Sequence, residues 1–418
     1  MGWIPAGAPP TVRDAGTARP KGRACAIAWL DRAACSSGDA ASGAWRSTTT
    51  SAGDTTVVTT HAGSVGGRQV IDSVTVLWQS ESLERPTQLV LAGNRIAIAD
   101  RTRIHLISTD GTPIATLGRE GEGPGEFVQI GAMGSTDSVI FAVDRQHRHW
   151  ARFDTNGAML ESGTMLLDPD LPSMMPGRIA LVDQIAQLAW GSGVSTRGEP
   201  NFAGIVSHPL NGALPSERGR VIGQPYVFGA SMTASLASLF GPTPIIAMAP
   251  DGRAALADGV EYCIAISGDV RPKRFCRDWD RVPVTDAVRN PDWQAVYAES
   301  GVPEAVLGPL REVLELVEVG DRRNSLTALN FDRDNRLWVH VVDSTTADIH
   351  PILIRFTPSR RPAHRHWDVF DRDGRLLWEL FLPSRFTPWD AEGNTVYGIY
   401  EVDTGELVVA SVEMMGEG

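Results

Sequence analysis

A chain of 418 residues, 42% hydrophobic and 21% charged, could form about three average domains or one large architecture, and it is too apolar to be disordered. Its net charge of −12, with two lysines (Lys21 and Lys273) beside 36 arginines, argues against nucleic acid or anionic membranes as partners and against lysine chemistry. No apolar run reaches the roughly 18 residues of a transmembrane helix, and 42 glycines and 27 prolines without a period of three exclude collagen and favour a turn-rich fold.

Residues 1–65 are rich in Ala, Gly, Ser, Thr and Arg without sustained periodicity, a composition that buries no core of its own and predicts a disordered leader or tether. Within it, Lys21 and Arg23 precede the apolar stretch Ala24-Cys-Ala-Ile-Ala-Trp-Leu30, with Ala33-Ala34-Cys35-Ser36 beyond. This resembles a bacterial lipoprotein signal, which implies export to the periplasm or outer membrane and makes Cys35 a lipidation candidate. Asp31-Arg32 interrupts the apolar stretch, and Arg32 stands where such signals prefer leucine.

From about residue 66 the pattern changes to short β-branched runs broken by Asp-Gly and Asn-Gly turns. Ala97-Ile-Ala-Asp100 recurs as Phe141-Ala-Val-Asp144. His147-Arg-His-Trp-Ala-Arg-Phe-Asp-Thr-Asn-Gly157 recurs as His364-Arg-His-Trp-Asp-Val-Phe-Asp-Arg-Asp-Gly374. A period of about 40–45 residues, with four short strands in each unit, is the signature of propeller blades. The turns predict six blades near 86–118, 128–168, 174–223, 243–281, 324–383 and 386–415. The last has only three strands, so Val74–Trp78 is expected to supply the fourth and close the ring. Asp144-Arg-Gln-His-Arg-His-Trp-Ala-Arg-Phe-Asp154 resembles the NHL-type repeat, and Gly118-Arg-Glu-Gly-Glu-Gly-Pro-Gly-Glu-Phe127 is similar to the glycine-rich link between such blades. The resemblance to bacterial six-bladed β-propellers covers roughly 67–415; it implies an all-β fold, many of whose members are exported, and says little about activity.

Two features interrupt the repeat. Residues 284–318 carry Val302, Val306, Leu307, Leu310, Val313, Leu314 and Val317 at helical spacing, with Asn290-Pro291 as a cap, Gly301 as a stop and Pro309 as a kink or break. This insertion either packs on the propeller's rim or forms a lid or partner-docking element over one mouth. Cys263 and Cys276 flank a hairpin whose turn sets them directly opposite each other, where a disulfide can form in an oxidising compartment.

The common signatures of hydrolases, zinc proteases and phosphate loops are absent. The His-x-His pairs fall at the start of third strands in opposite blades, too far apart to share a metal ion. Asp332-Arg-Asp334, Asp371-Arg-Asp373 and Asp154-Thr-Asn-Gly157 read as hairpin turns and lack the remaining ligands of a calcium loop. The inner strands Leu89–Leu91, Ile130–Met133, Ile179–Val182, Ile245–Met248 and Leu326–Leu329 predict a channel wall of backbone and small apolar groups with no metal-ligand cluster.

The expectation is therefore a non-catalytic exported propeller without a cofactor. It would bind a protein partner or small ligand through top-face loops carrying Arg145, His147, His149, Arg365 and His366, with an extrinsic subunit of a membrane-associated assembly as a variant of the same reading. The alternative is a lactonase-type or lyase-type propeller enzyme holding Ca²⁺ or Zn²⁺.

Overall fold

The computed structural model describes residues 47–61, 67–79, 83–145, 149–165, 177–182, 185–191, 200–211, 213, 215–225, 227–228, 235–236, 239–269 and 271–415. Four strands precede the first blade: β1 (Ser47–Ala52), β2 (Thr55–Thr60), β3 (Gly67–Val70) and β4 (Thr75–Trp78). Blade 1 is β5 (Pro86–Ala92), β6 (Arg95–Asp100), β7 (Arg103–Ser108) and β8 (Pro113–Leu117). Blade 2 is β9 (Ile130–Ser135), β10 (Val139–Asp144), β11 (His149–Asp154) and β12 (Met159–Thr164), with β13 (Gly177–Arg178) parallel to β9. Blade 3 is β14 (Ala180–Val182), β15 (Ile185–Gly191), β16 (Pro200–Pro209) and β17 (Ser216–Pro225), followed by the short pair β18 (Val227–Phe228) and β19 (Ser235–Leu236). Blade 4 is β20 (Ile245–Met248), β21 (Ala254–Ala257), β22 (Cys263–Ser267) and β23 (Lys273–Arg277). The helices α1 (Asp286–Arg289), α2 (Trp293–Ser300) and α3 (Glu304–Leu316) come next. Blade 5 is β24 (Leu326–Phe331), β25 (Leu337–Val341), β26 (His364–Phe370) and β27 (Leu376–Pro383), and blade 6 is β28 (Phe386–Glu392), β29 (Thr395–Glu401) and β30 (Leu407–Glu413).

The repeat has a physical cause. Asp100 ends the second strand of blade 1, and its carboxylate accepts from the backbone N–H groups of Glu84 and Arg85, just ahead of the innermost strand. Asp144 does the same for Val128 and Gln129 in blade 2. In these two blades one aspartate thus fixes where the chain enters the innermost strand. Apolar clusters fill the space between neighbouring blades. Phe127, Met133 and Ala97 pack between blades 1 and 2, Phe275, Phe331 and Phe370 between blades 4 and 5, and Trp338, Trp378 and Phe386 between blades 5 and 6.

β4 pairs antiparallel with β30 and completes blade 6, the closure that the three-strand count predicts. The closure is wider than one strand, however. β2 pairs in parallel with β23 on blade 4, and β3 pairs in parallel with β27 on blade 5. The chain therefore straps the outer edges of blades 4, 5 and 6 in succession before it enters blade 1. Gln69, in β3, donates to the carbonyl of Met415 and accepts from its N–H at 3.0 and 2.8 Å, tying the strap to the end of blade 6.

The strap corrects the assignment of residues 1–65 to a disordered tether, because 47–60 form a hairpin at the edge of blade 4. Composition rightly gives this segment no core of its own; its Thr and Val residues instead pair with backbone groups that β23 leaves open. Cys35 and the apolar stretch before it lie outside the described residues.

The helical insertion also departs from expectation in detail. α2 is capped by Asp292, whose side chain accepts from Ala295 N at 3.1 Å, two residues beyond the expected Asn290 cap. It ends at Gly301 in the left-handed region (φ 62°). α3 runs through Pro309 as one helix. Its buried Leu307 and Leu310 pack with Val296 of α2 and with Leu353 from the long β25–β26 connection, and Val313 and Val317 pack with Leu239.

Candidate functional site

Blades 4 and 5 enclose a buried cluster of ionisable groups. Tyr262 precedes β22 and Arg277 ends β23. His366 and Asp368 are two apart on β26 and share a face, and Asp368 is the register partner of Glu379 on β27. The Arg277 guanidinium donates to both Asp368 and Glu379. Tyr262 donates its hydroxyl to Asp368, and His366 Nε2 lies 3.0 Å from the other oxygen of that carboxylate. Asp343 Oδ2 stands 3.7 Å from His366 Nδ1. The imidazole stacks on Phe381 with ring centroids 4.5 Å apart and meets Trp279 edge-on at 5.6 Å.

Burial works against a charge on His366, but the Asp343 and Asp368 carboxylates outweigh it and hold the imidazole up to about 9. Burial likewise works to raise Asp368, and His366 and Arg277 leave it below the usual carboxylate value. Burial, reinforced by the Asp368 charge, pushes the Tyr262 phenol well up.

Among the described residues, the ligand atoms of His366, Asp368 and Glu379 lie within 4.8 Å of one another, a spacing a metal ion could use. Arg277 already bridges the two carboxylates, so its guanidinium stands where such an ion would bind. His366 is 5%, Asp368 0% and Tyr262 3% exposed, while the Glu379 and Asp343 side chains at the margin are 13% and 16% exposed. Their evident role is to clasp blade 4 to blade 5.

A second charged centre lies at one end of the channel, where the turns between first and second strands converge. A cavity of about 270 Å³ is lined by residues including Ser135, Asp137, Arg333, Asp334 and Asp390. Arg333 belongs to the β24–β25 turn of blade 5, and its guanidinium reaches Asp137 in the opposite blade 2, the carbonyl of Gly93 in blade 1 at 2.6 Å and Glu392 in blade 6 at 3.0 Å. Asp390 is buried and accepts from the N–H groups of Leu91, Arg333 and Ala391 at 2.9, 2.7 and 2.9 Å. Gly93 has φ 59°, and a Cβ there would come within 2.8 Å of the Asp137 carbonyl, so the turns meet only because this position lacks a side chain.

This charge corrects the expectation of an apolar channel wall. The inner strands named from the sequence are largely apolar, but the polar groups come from the turns beyond them and from β28, which was not among those strands. The Asp-containing turns behave as hairpins. Asp371 accepts from the N–H groups of Asp373 and Arg375, both at 2.9 Å, and Asp154 accepts from those of Asn156 and Ala158 at 2.9 and 2.8 Å.

The residues expected to form one binding surface are not brought together. Arg145 is exposed after β10 and His149 opens β11, both in blade 2, while Arg365 and His366 lie on β26 in the opposite blade. His147 lies outside the described residues. His366 is corrected from a surface ligand-binding residue to a buried member of the clasp, because its position on the strand turns it toward Trp279 and away from solvent. Arg365, the next residue, faces the other way.

Cys263 and Cys276 are register partners with Cα atoms 4.1 Å apart, and their sulfurs are joined. Arg277 N donates to Tyr262 O at 3.0 Å, so the cysteines occupy the adjacent non-hydrogen-bonded pair, where strands approach most closely. The clasp residues Tyr262 and Arg277 are thus the immediate neighbours of the cysteines. Alternation from that pair was the one signal in the sequence that could have marked them.

No protein-family model and no curated protein matches this chain. Solved structures resemble it in shape. A candidate exported protein from Bacteroides fragilis, 10% identical, matches 86% of this chain and 100% of its own with a TM-score of 0.45. The calcium-binding protein regucalcin from Agrobacterium tumefaciens, 12% identical, matches 84% and 98% with a TM-score of 0.38. A gluconolactonase from Xanthomonas campestris, 10% identical, matches 84% and 97% with a TM-score of 0.35. The six-bladed assignment rests on the strand pairing itself. Among the described residues, no helix is long and apolar enough to cross a membrane.

Proposed function

We propose that this chain is an exported, non-catalytic propeller that binds a protein partner or a small ligand at the end bearing the β25–β26 connection and the helical insertion. The observation that carries the reading is how its ionisable groups are engaged. Arg277, Asp368, Glu379 and His366 hold one another between blades, and Asp390 holds backbone N–H groups at the far end of the channel. A general acid or base needs a reacting group within hydrogen-bond reach; the core of the clasp is buried, and Arg333 bars the far end of the channel. The paired cysteines support an oxidising compartment, and attachment to a membrane through Cys35 or a membrane-bound partner belongs to the same reading. Metal analysis after mild purification tests it. About one tightly held Ca²⁺ or Zn²⁺ per chain, with lactone hydrolysis, would replace this reading with that of a metal-dependent propeller enzyme.

A further inference from the structure

The buried and half-buried arginines of this propeller mostly meet carboxylates. Arg277 meets Asp368 and Glu379, Arg333 meets Asp137 and Glu392, and Arg336 meets Asp332 and Asp334. Arg365 differs. Among the described residues its guanidinium has no hydrogen bond and no ion pair, although the residue is only partly exposed. A guanidinium offers five donors in a planar fork, and none of the Arg365 nitrogens is a sealed orphan, so these donors are open to an incoming ligand.

The surroundings of Arg365 follow from strand alternation. On β26, His366 and Asp368 turn toward blade 4, so Arg365 and Trp367 turn toward blade 6. His340 on β25 is the register partner of Trp367, with ring centroids 4.9 Å apart. Arg365, two residues from Trp367, is therefore the diagonal neighbour of His340 on that face. His340 Nδ1 lies 2.5 Å from the hydroxyl of Thr327, an exposed residue at the start of the innermost strand β24. Arg361 Nη1 lies 2.5 Å from Glu401 Oε2 in blade 6, so this acid, whose charge also acts on Arg365, already has a hydrogen-bonded partner. Burial, then the Arg361 charge, lowers Arg365 from the usual arginine value, and burial, then the Arg365 charge, lowers His340 to about 3. The imidazole is thus neutral at physiological pH. When the Thr327 hydroxyl donates to Nδ1, Nε2 carries the hydrogen and is a donor. Arg361, Arg365 and Glu401 carry two positive charges and one negative, with the Asp343 carboxylate acting on His340 from the side where it faces His366, on a chain whose net charge is −12.

We infer that Arg365, flanked by Arg361 and His340, is a recognition site for an anionic oxyacid group, a carboxylate or a phosphate, between blades 5 and 6 at the propeller end that carries the β25–β26 connection. The inference rests on the binding-propeller reading and gives it a ligand chemistry. Arg365 supplies a forked pair of donors, Arg361 adds charge beside it, and the neutral imidazole supplies a donor that needs no protonation.

Isothermal titration of the full chain with inorganic phosphate, and separately with succinate, at low ionic strength tests the site. The expected result is one anion per chain, the preferred probe identifying phosphate or carboxylate as the natural group. R365Q should weaken binding about tenfold or more, the loss expected for a charge-assisted hydrogen bond. R365K should retain part of the affinity, H340Q should weaken it less, and R218Q, on the exposed face of β17 in blade 3, should leave it unchanged. H340Q and R365K keep the test decisive if R365Q fails to fold. Absence of binding by the wild-type chain, or equal affinity in R365Q or H340Q, overturns the site. Equal affinity would leave a binding propeller with its anion elsewhere, whereas a resident divalent cation with hydrolytic activity would overturn the binding reading itself.

Discussion

Replacing Arg277 by methionine keeps most of the side-chain volume and removes the charge that joins blades 4 and 5. The side chains of Arg277, Asp368 and Glu379 are 8%, 0% and 13% exposed, so solvent cannot take the place of the guanidinium. Removing one partner of a buried ion pair destabilises by about 3–5 kcal/mol, because the other charge is left uncompensated. Here two carboxylates lose their counter-ion, although Asp368 retains His366 and Tyr262. R277M should therefore unfold at lower urea with a loss of about 3–5 kcal/mol near pH 8. The loss should shrink on acidification, since protonated carboxyls no longer need a cation. Adding E379Q to R277M should recover part of it, with a coupling energy of about 1–3 kcal/mol. A loss below about 1 kcal/mol at pH 8, or one independent of pH, would refute the clasp, because an exposed pair behaves that way.

His366 is held up to about 9 against an ordinary value of 6.5, so its contribution is complete below pH 6.5 and is lost as pH rises through 9. It amounts to at most about 3 kcal/mol, read as the difference between wild-type and H366N urea midpoints across that range, and parallel pH profiles would exclude it. Unreduced mass spectrometry should find Cys263 and Cys276 joined, and reduction should lower stability by about 3 kcal/mol for the short loop that they close. Removing residues 47–60 should leave a folded propeller with a lower urea midpoint, whereas removing 66–80 should abolish soluble folding; equal outcomes would mean that β4 does not close the ring. R333A should accelerate amide exchange at Leu91 and Ala391 while leaving the outer strands unchanged, and uniform protection would show that Arg333 does not seal the channel end.

What the sequence reveals depends on whether a residue does the same work in more than one blade. Asp100 and Asp144 fix the entry of successive innermost strands, so their spacing carries the blade period. Asp154 and Asp371 each cap a hairpin with the same pair of backbone contacts, which is why the two eleven-residue segments align. The helical insertion is legible because 3.6-residue spacing stands out against alternation. The Ser/Thr-rich strands β1 and β2 are not, since their stability comes from an edge more than 200 residues away that no local window contains.

The clasp is hidden for the same reason. Arg277 meets Asp368 and Glu379 across separations of 91 and 102 residues, and Arg333 meets Asp137 across 196, contacts set by how blades stack and not by any spacing within one. Charged residues that recur with the blade mostly serve turns and strand entry, while Arg277 and Arg333, outside the repeated segments, sit at a blade interface and a channel end; Arg365 belongs to the eleven-residue repeat, aligned with Arg148. Arg277 and Arg333 are satisfied by carboxylates of the chain itself, whereas Arg365 meets no carboxylate among the described residues and keeps its donors open to a ligand.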